Sequence, residues 1–147
     1  MLKTILVPVD GSAASYKALN YAFNLGEAFK SRLIVLTVSD PFDLSPPGLK
    51  DLKVPAGELS PEEEILAGGA ALAIAQKLAE KRGYDDIAFE KAIAADPAAR
   101  ILQQAQIVNA DTIVMGKRGL GTTKAFLLGS VSSRIASAAI CPVVIVN

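Results

Sequence analysis

Four glycines fall within the stretch MGKRGLGTTKAFLLGSV, Met115 to Val131, beside Lys117, Arg118 and Lys124, a composition suited to a loop that receives an anion. Glycine lets a backbone approach phosphate oxygens closely and adopt conformations that other residues avoid. Two familiar phosphate loops fail on spacing. Gly116 and Gly121 stand five apart, but Thr122 follows where a P-loop needs lysine. Gly119 and Gly121 lead to Lys124 where a dinucleotide fingerprint needs a third glycine. A second polar signal comes early, where Asp10, Gly11 and Ser12 close the apolar run ILVPV. Each signal also has a plainer reading. Asp10 suits an Asx-turn, Gly116 and Gly119 suit ordinary turns, and Ser130 suits a helix cap.

What the chain lacks narrows the chemistry. It holds no histidine, which removes Ser-His-Asp and Cys-His mechanisms and the commonest metal ligand. No catalytic residue or protein-held metal is expected. Cys141 is the single cysteine, so no intrachain disulfide forms, and before Pro142 it reads as a small buried residue. That usage suits a reducing cytosol, and a cytoplasmic location is the expectation. Fifteen basic and fifteen acidic residues cancel, so no global field draws the chain to nucleic acid or anionic lipid. The longest nearly apolar run, ILAGGAALAIA, is too short to cross a bilayer, and the opening MLKTILVPVD does not read as a signal peptide.

The elements that must position these residues are legible in the periodicity. The chain has 147 residues, 51% of them hydrophobic, enough for one domain with a buried sheet. Five β-branched runs read as strands: Lys3 to Val9, Arg32 to Val38, Ile87 to Ile93, Asp111 to Met115 and Pro142 to Val146. Leu19, Ala22, Phe23 and Gly26 share one face of a first helix. Ser60, Pro61 and Glu63 form a capping box for a second helix ending near Gly83. A third starts with Asp96 as cap and Pro97 as first residue and runs to about Asn109, and a fourth follows Gly129. The alternation predicts an α/β fold with a parallel sheet covered on both faces, as a single domain over residues 1–147. The segment from Ser39 to Leu59, with four prolines, reads as a flexible insertion over about 39–60.

In open parallel sheets, ligands sit beyond the carboxyl ends of strands where the winding reverses. With the order 3-2-1-4-5, the first and fourth strands meet there, and the two polar signals face one crevice. Pro8 stands out, because a proline in a central strand lacks a ladder donor. Near the carboxyl end, where strands splay, that cost falls.

ILVPVDGS, ADTIVMGKRGLG, LLGSVSSRI and CPVVIV together resemble the universal stress protein family, over nearly the whole chain and in the family's order. The most specific part is the nucleotide motif G-x-x-G, nine residues, then G-[S/T], met by Gly116, Gly119, Gly129 and Ser130. The resemblance implies the order 3-2-1-4-5 and an ATP-binding crevice. Carried over by position, Pro8 and Val9 would line the adenine and Asp10 would contact adenine or ribose. Val38 would offer backbone groups to the base, and Met115 and Gly116 would pass beside ribose and phosphates. Gly129, Ser130, Val131 and Ser132 would hold the phosphate tail at a helix start, whose free amides and dipole favour an anion. Mg2+ or Mn2+ would enter through the phosphates. One departure is AADPAA, Ala94 to Ala99, where many relatives have a glycine, which puts only that turn in doubt.

The expected function is an ATP-binding stress-response regulator with slow or no hydrolysis, a homodimer through the C-terminal strand PVVIVN. The competing expectation is an interaction or dimerisation module with a vestigial nucleotide site. An adenylating enzyme on a related fold is disfavoured, since no pyrophosphate loop follows the first strand.

Overall fold

The computed structural model describes residues 2–39, 70–117 and 128–147. The strands are β1 (Thr4–Pro8), β2 (Arg32–Ser39), β3 (Ile87–Ile93), β4 (Thr112–Gly116) and β5 (Val143–Val146). The helices are α1 (Ala13–Phe29), α2 (Ala70–Arg82), α3 (Pro97–Ile107) and α4 (Ser130–Ala138). All strand pairs are parallel, in the order β3-β2-β1-β4-β5. The sheet therefore reverses direction between β1 and β4.

Alternation along the strands divides the core in two. Ile5, Val7, Leu33, Val35 and Val114 point to one face, where Ala18, Leu19, Ala22 and Phe23 of α1 and Ala71, Leu72, Ala75 and Ala79 of α2 cover them. Leu6, Ile34, Leu36, Ile113 and Met115 point to the other, under Ala98, Ile101 and Ala105 of α3 and Ile135 of α4. The α1 face is the one read from the sequence, and Leu19, Ala22, Phe23 and Gly26 are all buried. Strands apolar on both faces are what a sheet covered twice requires.

The helix ends follow local chemistry. Ser12 caps α1, its side chain accepting from the Ser15 N–H. Asp96 caps α3 with Pro97 at its first turn, so the alanine where relatives often have glycine leaves the cap intact. Gly83, at φ +74, ends α2 in the left-handed region that glycine enters freely. The capping box at Ser60, Pro61 and Glu63 and the body of the 39–60 insertion lie outside the described residues. The cap of α4 is Gly129, not Ser130, which is already helical, and no side chain caps this end. The alternative reading of Ser130 as a cap is thereby corrected.

Candidate functional site

The carboxyl ends of β1, β2 and β4 surround one place, and the hydrogen-bond pattern opens it. The β1–β2 register continues to Pro8 opposite Leu36, whereas β1–β4 pairing stops after Leu6 opposite Ile113. Backbone groups of successive strand residues point to opposite edges. The Val9 N–H donates to the Leu36 carbonyl at 2.9 Å, on the β2 side. The nitrogen of Pro8 therefore faces β4, where the next rung would need a donor toward Val114. Proline has none. The residue that looked out of place in a central strand is the one that ends the ladder, and beyond it β1 and β4 part.

Asp10 lies just past this point, half-buried, its Oδ1 accepting from the Ser12 N–H at 2.9 Å in an Asx-turn. Gly11, at φ +88, makes the sharp entry into α1. Burial pushes the Tyr16 phenol above its ordinary value, and the nearby Asp10 carboxylate adds to the shift. Tyr16 thus stays a neutral hydroxyl at neutral pH.

The end of β4 closes against α1 and α4. A Cβ on Gly116 would stand 2.8 Å from the Ala14 carbonyl carbon and 3.0 Å from its Cβ, so only glycine lets β4 pass α1 here. The Ser132 hydroxyl, 2% exposed, donates to the Gly116 carbonyl at 2.9 Å. Ser132 is thus turned inward, holding strand to helix. The Lys117 N–H donates to the Val146 carbonyl at 2.8 Å, and the Lys117 carbonyl accepts from Gly129 at 2.9 Å. Together these bonds aim the first turn of α4 at the end of β4. Gly129, Ser130, Val131 and Ser132 at the start of α4 are thereby held to Met115, Gly116 and Lys117 at the end of β4, while Pro8, Val9 and Asp10 lie at the end of the neighbouring strand β1. Gly119 lies outside the described residues, as does Arg118.

On the β2 side, Val38 flanks the same opening. Because Leu36 faces β1, so do the Val38 N–H and carbonyl, and among the described residues neither finds a backbone partner. Thr37 is the residue that sequence reasoning missed. Its hydroxyl, 2% exposed, donates to the Val9 carbonyl at 2.9 Å. A threonine amid RLIVLTV was the only sequence signal, and its partner is 28 residues away.

A shallow hollow at the opposite end of the sheet is lined by Glu27, Ser31, Tyr84, Asp85 and Asp86, among others. Lys30 also lines it, but two helix C-termini and the carboxylates of Glu27, Asp85 and Asp86 weigh against an anion there. The β1–β4 opening has the reverse character, a helix N-terminus with no carboxylate in its first turn.

An open doubly wound α/β protein with its crevice at the strand-order reversal is the class that this fold and site define. The chain belongs to the universal stress protein family, whose family model matches residues 1–147. It is 34% identical over 150 residues to universal stress protein MJ0531 of Methanocaldococcus jannaschii, covering 100% of this chain and 83% of that protein. It is 30% identical over 148 residues to universal stress protein YxiE of Bacillus subtilis, with 100% of both chains covered. Among solved structures, a universal stress protein in complex with cAMP superposes with a TM-score of 0.71 at 29% identity, over 99% of this chain and 97% of that one. The family protein from Archaeoglobus fulgidus in complex with dAMP shares the fold at a TM-score of 0.67 and 19% identity, over 100% of this chain and 98% of that one.

Proposed function

We infer that this chain is an adenine-nucleotide-binding regulatory protein whose ligand is ATP, held across the β1–β4 opening, with slow or no hydrolysis. The observation that carries this reading is the backbone left open at the end of β1 and at Val38, set opposite a helix start aimed at the same gap. Pro8 and Val9 would flank adenine, and the Val38 N–H and carbonyl would meet its polar edge. Met115 and Gly116 would run beside the ribose. The amides of Ser130 and Val131 would take the phosphates, since a helix start presents unpaired donors and a positive dipole end, while Gly129, its own N–H held by the Lys117 carbonyl, would let them come close. Ser132 would act from behind by fixing Gly116. Gly119 completes the sequence motif with Gly116, Gly129 and Ser130. The relative that binds cAMP adds weight to the adenine class.

Among the described residues no three His, Cys, Asp or Glu side chains gather to hold an ion. Any Mg2+ or Mn2+ would arrive with the phosphates, with Asp10 as the carboxylate beside them. With no histidine in the chain, proton removal from water would fall to such a weak base, in keeping with slow or no turnover. Among the described residues no helix is long and apolar enough to cross a membrane. A cytoplasmic place and a fold completed by one domain belong to the same reading.

Titration calorimetry of freshly purified protein with ATP tests the ligand. Saturable binding of one nucleotide per chain supports it. Absence of binding leaves the competing reading, an interaction module with a vestigial site.

The homodimer belongs to the same proposal. β5 ends the sheet order, all four of its residues are half-buried, and Ile140 just before it is 80% exposed. The Pro142 and Val146 carbonyls accept from β4, so the Val143 and Ile145 amides face outward and offer a strand for antiparallel pairing with a second copy. Ile145→Pro removes one outward donor without touching the β4 ladder. Sedimentation should show a dimer for the parent and a monomer for the variant. A parent that sediments as a monomer removes the dimer.

A further inference from the structure

We propose that Thr37 is the positioning residue of the base subsite, holding the Val38 amide open by occupying the Val9 carbonyl. The inference rests on the adenine reading above and adds a residue and a device to it. Continuing the β1–β2 ladder one more rung would join the Val38 N–H to the Val9 carbonyl, because the rung before it joins the Val9 N–H to Leu36. The ladder does not take that step. The Val9 carbonyl receives the Thr37 hydroxyl instead, at 2.9 Å, with both residues buried.

The substitution of a side-chain donor for a main-chain donor has two consequences. The Val9 carbonyl stays satisfied, so its burial carries no desolvation penalty. Among the described residues the Val38 N–H and carbonyl are left without a backbone partner, one donor and one acceptor side by side at the end of β2. That pair matches the donor and acceptor of an adenine Watson–Crick edge, the exocyclic amine and N1. Neighbours hold the device in place. Leu33 and Val35 lie on the same face of β2 as Thr37, under α1 and α2, and Thr37 itself is 2% exposed. The β3 side of β2 stays fully paired, since the Ser39 carbonyl accepts from Ala94 at 2.9 Å.

Thr37→Val keeps shape and removes the donor, and Thr37→Ser keeps the donor. Two measurements read the result. The first is hydrogen exchange at the Val38 amide by NMR, with no ligand present. Exchange should be fast in the parent and in Thr37→Ser, and slower by about tenfold or more in Thr37→Val, where the amide closes onto Val9. The second is calorimetry with ATP and with inorganic triphosphate. ATP affinity should fall by about tenfold in Thr37→Val, the worth of one hydrogen bond, while triphosphate affinity holds and Thr37→Ser restores the parent value. Equal exchange rates in parent and Thr37→Val overturn the proposal. So does an equal loss for ATP and triphosphate, which marks general loosening. If the parent binds no adenine nucleotide, the ligand reading fails separately, and the exchange comparison still decides whether Thr37 keeps the amide open.

Discussion

At the amino end of the sheet, side chains close the backbone. The Asp111 carboxylate accepts from the Lys3 and Thr4 amides at 2.8 and 2.9 Å. The Ser31 hydroxyl donates to the Leu2 carbonyl, and the Tyr84 hydroxyl donates to the Ser31 carbonyl at 2.6 Å. Arg82 pairs with Glu27 at 2.8 Å, tying the ends of α2 and α1 together. At the carboxyl end the sequence uses residues that lack something. Pro8 has no backbone N–H, and Gly116 and Gly129 have no side chain. Side chains serve backbone at both ends, as Thr37 and Ser132 do for the Val9 and Gly116 carbonyls, but only at the carboxyl end does the β1–β4 ladder stop short. The same sheet thus carries a closed end and an end that the proposed function makes the receiving one, and the difference lies in a few residue types rather than in topology.

The largest expected effect tests whether space at the receiving end is as tight as the backbone implies. Gly116→Ala puts a Cβ 2.8 Å from the Ala14 carbonyl carbon, and backbone of a packed helix gives way poorly. Stability should fall by about 3 kcal/mol, measured from urea midpoints, in the range for overpacking. Gly83→Ala makes the counterpart at the other end. Its φ of +74 strains alanine, but nothing stands within 4 Å of the new Cβ. That change should cost only about 1 kcal/mol, the penalty for a left-handed residue. Equal costs would mean that Gly116 serves conformation and not close approach.

The next effect concerns binding. Gly129 is buried but sits at φ −63 and ψ 163, extended backbone that any residue adopts, so Gly129→Val strains no dihedral. A branched side chain at the cap of α4 would then stand where phosphate oxygens approach. ATP affinity should drop about tenfold or more, near 1.4 kcal/mol. Unchanged affinity by calorimetry in a folded variant would remove phosphate from this helix start.

How much of this was legible in the sequence depended on the range of each contact. Strands came through within a residue or so, with β3 read as Ile87 to Ile93 and β1 one residue shorter at each end than its run. Asp96 and Pro97 announced α3 because cap and first turn are neighbours in the chain. The strand order came from the family resemblance, since the spacing of the polar loops alone does not prove it. Pro8 was flagged as odd, but its meaning needed the direction of each rung, which only a paired sheet supplies. Gly116 was marked for its place in a glycine motif, while its contact with Ala14 joins segments a hundred residues apart. Thr37 was missed altogether, since a hydroxyl inside an apolar strand gives no hint of its acceptor. The plainer reading of Ser130 as a cap fails because the cap position falls one residue earlier, on Gly129, which has no side chain to accept from the first amides.

The smallest effect sits at the closed end and depends on pH. Hydrogen bonds from the Thr4 and Lys3 amides hold the Asp111 carboxyl below its ordinary value of 3.8. A depressed carboxyl contributes stability above the pKa it has when unfolded, and that contribution fades as pH falls through the folded value. Asp96 has the same sign, lowered first by Arg134 and then by the Ala99 amide, so the parent should lose stability on acidification from both groups. Asp111→Asn keeps an acceptor for the amides and removes the titrating charge. Its Tm should lie slightly below the parent's at neutral pH, and the gap should narrow as pH falls from about 5 to about 3. Asp96 is unchanged in the variant, so it contributes equally to both curves and drops out of the difference. ATP affinity at neutral pH should stay at the parent value, because Asp111 belongs to the end of the sheet away from the β1–β4 opening. A gap that stays constant with pH would leave Asp111 as a neutral acceptor. A loss of ATP affinity would show that the two ends of the sheet are not independent.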